Sequence, residues 1–129
     1  MAHPSEQRLR DLYAAFAQGD LPTVLGMCTD DIRFTVPGHN QVTGQYTKET
    51  FGPGLIATVM ELTAGTFSEE IVDVFANDEH GVVLLVHRFQ RQGRPVEYRT
   101  AQIWAIRDGQ FASWREHPGD EQRFDEAWA

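Results

Sequence analysis

Few residues of this 129-residue chain sit where they could do chemistry. Four polar side chains interrupt apolar or aromatic runs in its second half: His87 in VVLLVHRF, Tyr98 and Gln102 in VEYRTAQIWAI, and Glu116 in FASWREH. A carboxylate enclosed by apolar groups is hard to ionise, which tunes it as a general acid or base near neutral pH. An imidazole beside it can share a proton and orient it, so His87 is the expected partner of Glu116. The Gln102 amide can hydrogen-bond a ligand's carbonyl or hydroxyl. Tyr98 offers a phenol, but its place near a hairpin end predicts exposure. Other chemistries lack their patterns. The five histidines show no paired ligand spacing, Cys28 is the only cysteine, and no phosphate loop or Gly-x-Ser-x-Gly elbow occurs. No metal and no cofactor is expected.

The elements that must position these groups read as three helices, one early strand and a meander. Leu9, Leu12, Tyr13 and Phe16 fall on one helical stripe over residues 5–18, with Ser5 as cap and Gly19 as stop. Asp20 caps a short helix through Met27. Asp31–Val36 alternates as a strand and stops at Pro37-Gly38; residues 38–46 read as loop. A third helix has its firm part over Leu55–Thr63, after a kink at Gly52-Pro53-Gly54. Thr66–Ala76, Val82–Arg91, Val96–Arg107 and Phe111–His117 are strand-like runs separated by turn signals. The class is α+β, a single domain over 1–129 with helices packed on one face of a curved sheet. Asp120 caps a short C-terminal amphipathic segment whose Phe124 and Trp128 face the sheet or a partner chain.

Strand parity sorts the side chains. Val83, Leu85, His87 and Phe89 share one face; Tyr98, Thr100, Gln102, Trp104 and Ile106 share another. The last strand depends on the turn at Arg107-Asp108-Gly109. A three-residue loop with a bulge at Gly109 pairs Gln102 with Trp114 and Thr100 with Glu116. A two-residue turn instead brings Arg115 and His117 to that face. The unbroken apolar run Val82–Val86 predicts burial on both faces. Helices cover only one, so a homodimer through the sheet is expected.

Eleven basic and nineteen acidic residues give a formal charge of −8, which disfavours nucleic acid and anionic membrane surfaces as partners. The segment MAHPSEQRLR lacks an apolar export core, and a single cysteine suits a reducing compartment, so a cytoplasmic location is expected.

Taken in order, LYAAFAQGDLPTVLGMCTDDIRFTVPG, GTFSEEIVDVFANDEHGVVLLVHRFQRQGRP and AIRDGQFASWREHPGDEQRFDEAW resemble the SnoaL-like branch of the nuclear transport factor 2-like superfamily, over residues 8–127. The resemblance implies a cone-shaped, cystatin-like fold with a strongly bent sheet around a deep apolar pocket. It favours the register with Glu116 inward, because relatives place a catalytic carboxylate there. The catalytic candidates are then Glu116, placed by the resemblance, and His87, placed beside it by strand parity. Parity puts Gln102, Tyr98, Trp104, Trp114 and Phe89 on the wall, joined by Phe34 and Val36 from the first strand and Tyr13 or Phe16 from the first helix. The catalytic groups of ketosteroid isomerases are replaced here, at Val36, Gln102 and Leu12. Of the limonene-epoxide hydrolase set only Glu116 matches, with His87 and Leu85 in place of the strand Asp and Arg. The reading is cofactor-independent acid–base chemistry, a cyclisation or isomerisation, on a small apolar carbonyl compound. The alternatives are a non-catalytic binding module, epoxide-hydrolase-like hydrolysis and a protein-interaction domain.

Overall fold

A computed structural model describes residues 2–129. Six strands form one sheet in the order β2-β1-β6-β5-β4-β3: β1 (Cys28–Val36), β2 (Gly44–Tyr46), β3 (Ser68–Ala76), β4 (His80–Arg91), β5 (Arg94–Arg107) and β6 (Gln110–Pro118). All pairings are antiparallel except β1 with β6. Helices α1 (Pro4–Ala17), α2 (Leu21–Gly26) and α3 (Ala57–Thr63) precede the meander, and α4 (Glu121–Ala127) follows it. The architecture is thus the expected α+β, cystatin-like arrangement with a fourth helix. None of the described helices is long and apolar enough to cross a membrane.

Local chemistry explains where the boundaries differ from the sequence reading. His3, not Ser5, caps α1. Its Nδ1 accepts the Ser5 amide at 3.0 Å and the Glu6 carboxylate accepts the His3 amide at 3.1 Å, closing a capping box. Ser5 instead lies buried within the first turn. Pro53 cannot supply an amide hydrogen, and the chain there widens into a π-helical turn, Phe51–Ile56, before α3; the Ala57 amide reaches back to the Gly52 carbonyl. Residues 44–46, read as loop, add β2 to the sheet edge.

The turn before β6 differs from both options. Arg107 pairs with Gln110 across a two-residue turn, with Asp108 and Gly109 both at positive φ (52° and 77°). Such a turn alone would carry Arg115 and His117 inward. An extra residue, Ala112, then bulges between the Ile106–Phe111 and Ala105–Ser113 pairs and flips the parity back. Gln102 therefore faces Glu116, and Trp104 faces Trp114. The expected Gln102–Trp114 and Thr100–Glu116 pairings are each wrong by two residues, although the inward face is the expected one.

The core lies between the concave face and the helices. Leu9, Leu12, Tyr13, Val24, Phe34, Val83, Leu85 and Phe111 are buried there. Gly81 sits directly under α1, where a Cβ would come within 2.5 Å of Leu9 Cδ1. The convex face is apolar but less covered. Val82, Leu84, Ala101 and Ile103 are half-buried, and Phe75, opposite Val82, is 51% exposed.

Candidate active site

The bend of the sheet leaves a narrow cavity of about 70 Å³ between its concave face and the helices. Leu12, Tyr13 and Phe16 enter it from α1. Phe34 and Val36 come from β1, His87 from β4, Tyr98, Gln102 and Trp104 from β5, and Trp114 and Glu116 from β6. Phe51, stacked on Phe34 at 4.1 Å, is contributed by the π-helical turn. Phe89 is the one expected wall residue that does not reach the cavity. It is buried behind Trp128, stacked at a centroid distance of 4.4 Å. Tyr98, expected to be exposed, is buried because α4 folds over its end of the hairpin: Phe124 meets its ring edge at 5.5 Å.

Glu116 is buried with neutral partners. Thr100 Oγ1 donates to Oε2, and Gln102 Nε2 donates to Oε1 at 3.1 Å. Burial pushes its carboxyl pKa up. The charge on His87 and the hydrogen bonds from Thr100 and Gln102 oppose that rise without cancelling it, and the Glu69 charge adds to it. The expected Glu116–His87 hydrogen bond is not formed. Gln102 also differs from expectation, since both ends of its amide are engaged inside the protein: Oε1 accepts from the Tyr13 hydroxyl.

His87 pairs with Glu69 instead. The two residues are opposite each other on β4 and β3, and His87 Nε2 lies 2.8 Å from Glu69 Oε2, with side chains 3% and 13% exposed. Burial alone would lower the His87 pKa; the Glu69 hydrogen bond and the charges of Glu69 and Glu116 outweigh it, and the net shift is upward. Glu69 is not among the residues that the sequence singles out. Its signal was the alternation Phe67, Glu69, Ile71 at the start of β3, in which Glu69 shares the His87 face. Phe124 and Trp128, recognised as an apolar pair, turn out to be cavity wall.

The hydrogen bonds form two chains of the same design. An indole N–H can only donate and an ionised carboxylate can only accept, so with the imidazole neutral the ends fix the direction of everything between. Trp104 Nε1 donates to the Tyr13 hydroxyl at 3.1 Å, Tyr13 donates to Gln102, and Gln102 donates to Glu116. Trp128 Nε1 donates to the Tyr98 hydroxyl at 2.9 Å, Tyr98 bonds His87 Nδ1 at 3.0 Å, and His87 bonds Glu69. Every buried side-chain polar atom among the described residues has a partner.

A family model for the SnoaL-like domain matches residues 9–114. The chain belongs to the SnoaL-like domain family. The uncharacterized protein Rv0034 of Mycobacterium tuberculosis H37Rv is 25% identical over 123 residues, covering 94% of this chain and 93% of that protein. Among solved structures, TerC co-crystallised with polyporic acid superposes with a TM-score of 0.83 at 17% identity, over 97% of this chain and 98% of TerC. IdmH, a candidate polyketide cyclase from Streptomyces antibioticus, gives 0.74 at 18% identity, over 91% and 93%. These structural likenesses establish a shared fold. In this chain the space enclosed by the sheet and the helices is lined by two carboxylates, Glu116 and Glu69.

Proposed function

We propose that this SnoaL-like protein performs cofactor-independent acid–base chemistry on a small, neutral, apolar carbonyl compound. The observation that carries the reading is Glu116: a buried carboxylate, raised in pKa, in an aromatic cavity where its hydrogen-bond partners are Thr100 and Gln102 rather than a cation. Such a group is a base matched to a weakly acidic C–H. Glu116 takes a proton from the carbon next to the carbonyl, and the C–H electron pair moves onto the carbonyl oxygen. In an isomerisation the proton returns at a different carbon. In a cyclisation the enolate carbon bonds a second carbonyl of the same molecule, and that oxygen takes the proton. Two carboxylates on one cavity disfavour an anionic ligand. A ligand in TerC, and the cyclase assignment of IdmH, are consistent with the class.

The test is solvent-deuterium incorporation next to the carbonyl in a panel of aromatic ketones, followed by NMR. Glu116→Gln is expected to slow exchange by about 10²–10⁴-fold, the usual contribution of a general base. Full exchange by that variant would overturn the assignment. A non-catalytic carrier is the second reading, favoured by the engagement of both ends of the Gln102 amide within the protein. It predicts ketone binding without exchange in either protein.

A homodimer is proposed on separate grounds. The half-buried row of Val82, Leu84, Ala101 and Ile103, bordered by exposed Phe75, is the apolar face that a second copy would cover.

A further inference from the structure

His87 has an acceptor nitrogen facing a hydroxyl, and that hydroxyl has only one hydrogen to give. Glu69 Oε2 lies 2.8 Å from Nε2, so Nε2 carries the hydrogen of the neutral ring and Nδ1 accepts the Tyr98 hydrogen. Trp128 Nε1 occupies a lone pair on the same Tyr98 oxygen at 2.9 Å. When the ring takes a second proton, Nδ1–H points at Tyr98 and claims the other lone pair. The Tyr98 hydrogen then has no acceptor left in this group, and Tyr98 lines the cavity.

We propose that Tyr98 is the group that donates a hydrogen bond to the carbonyl oxygen of the ligand, and that protonation of His87 releases it to do so. The inference rests on the reading that a carbonyl compound occupies this cavity. It adds the acid side of the reaction. Glu116 removes the proton, and the electron pair arriving on oxygen meets the Tyr98 O–H, backed by an imidazolium. Trp128 is a positioning residue that keeps the Tyr98 lone pairs filled. The charged and titratable groups facing His87 are Glu69 from β3, hydrogen-bonded to it, Tyr98 from β5, and Glu116 from β6 across the cavity; Tyr13 of α1 lines the same space. Phe67, edge-on at 4.9 Å, is uncharged. Both carboxylates favour the imidazolium, and Glu116 must be ionised to act as base. Exchange should therefore be bell-shaped in pH, with its alkaline limb set by His87.

Two measurements on the full chain test this. In ¹⁵N-histidine NMR, the neutral form of His87 should be the Nε2–H tautomer; an Nδ1–H tautomer overturns the proposal. Acetophenone labelled with ¹³C at the carbonyl serves as the bound probe, read by its infrared stretch. The stretch should fall to lower frequency below the NMR midpoint of His87. Tyr98→Phe should abolish the change, and so should His87→Gln, which keeps the Tyr98 hydroxyl but cannot gain a proton. A bound probe whose stretch ignores pH and both variants refutes the role of Tyr98 alone. Failure of the wild-type protein to bind acetophenone or any ketone of the panel refutes the carbonyl reading and this proposal with it.

Discussion

Replacing Thr100 by Val keeps shape and β-propensity but removes one of the two donors to Glu116. Both residues are 5% exposed, so water does not replace the lost bond. A hydrogen bond to an ionised group is worth about 1.5–3 kcal/mol and one between neutral groups about 0.5–1.5 kcal/mol. The cost of Thr100→Val therefore depends on the protonation of Glu116. The sign follows from its raised pKa. In wild type the stability contribution of Glu116 is fully present below its unfolded pKa and is lost as pH rises through the folded one. Removing a donor to the charged form raises the folded value further, so the variant falls increasingly behind wild type as pH rises. Urea melts should show a deficit near 1 kcal/mol in mild acid, growing to about 1.5–3 kcal/mol in mild alkali. One kcal/mol corresponds to about 4 °C in Tm for a domain of this size. Asp20, Asp31 and Asp125 have lowered pKa values through their hydrogen bonds and lose their contributions in acid. They do so equally in both proteins, so the wild-type-minus-variant difference isolates Glu116. A deficit that stays near 1 kcal/mol at both pH values would show that Glu116 does not ionise against Thr100, and the acid–base reading would lose its base.

Three further outcomes are expected. Glu69→Gln keeps an oxygen that can accept from His87 but removes the charge that helps raise its pKa; because that contribution is present in acid and lost as pH rises through the folded His87 pKa, the variant should be destabilised more in acid than in alkali, and ¹⁵N NMR should show a lowered His87 midpoint. Gly81→Ala drives a Cβ to 2.5 Å from Leu9 Cδ1, and Leu9 is fully buried, so thermal melts should show a loss of about 1–3 kcal/mol from overpacking. Ile103→Arg places a charge at the centre of the convex face while leaving the cavity intact, so sedimentation should show a dimer in wild type and a monomer in the variant; a wild-type monomer at micromolar concentration contradicts the interface.

The sequence carried the fold well because its signals were local: the α1 stripe, two hairpin turns and alternation along β4 and β5. The site was legible only where alternation ran unbroken, which placed His87, Tyr98 and Gln102 on the concave face. Beyond that, two kinds of information were missing. The first is the pairing of a turn with a bulge. The Asp108-Gly109 turn and the Ala112 bulge each invert parity, and together they restore it, so Glu116 faces inward for a different reason from the one expected. The second is neighbour choice across strands. Glu116 and His87 share the cavity, but Gln102 lies directly opposite Glu116, and Glu69 opposite His87. Glu69 was hidden because the first residues of an edge strand read as solvated acid, and its partner is set by the cross-strand pairing with His87.

The direction of the two hydrogen-bond chains bears on what the cavity can accept. Each begins at an indole that cannot accept and ends at a carboxylate that, ionised, cannot donate. Donors are thus spent inside the protein, and the carboxylates are left with spare lone pairs toward the ligand space. A ligand hydroxyl or an acidic C–H finds an acceptor at Glu116 without rearrangement. A ligand carbonyl finds a donor only where a chain can be reversed or overfilled. The Trp104 chain has no titratable group between its tyrosine and its carboxylate, so it stays fixed. The Trp128 chain contains His87, the one link that can take up a proton. Under the proposed chemistry, this asymmetry would put base and acid on opposite sides of the cavity, a division that follows from which residue separates tyrosine from carboxylate: an amide on one side and an imidazole on the other.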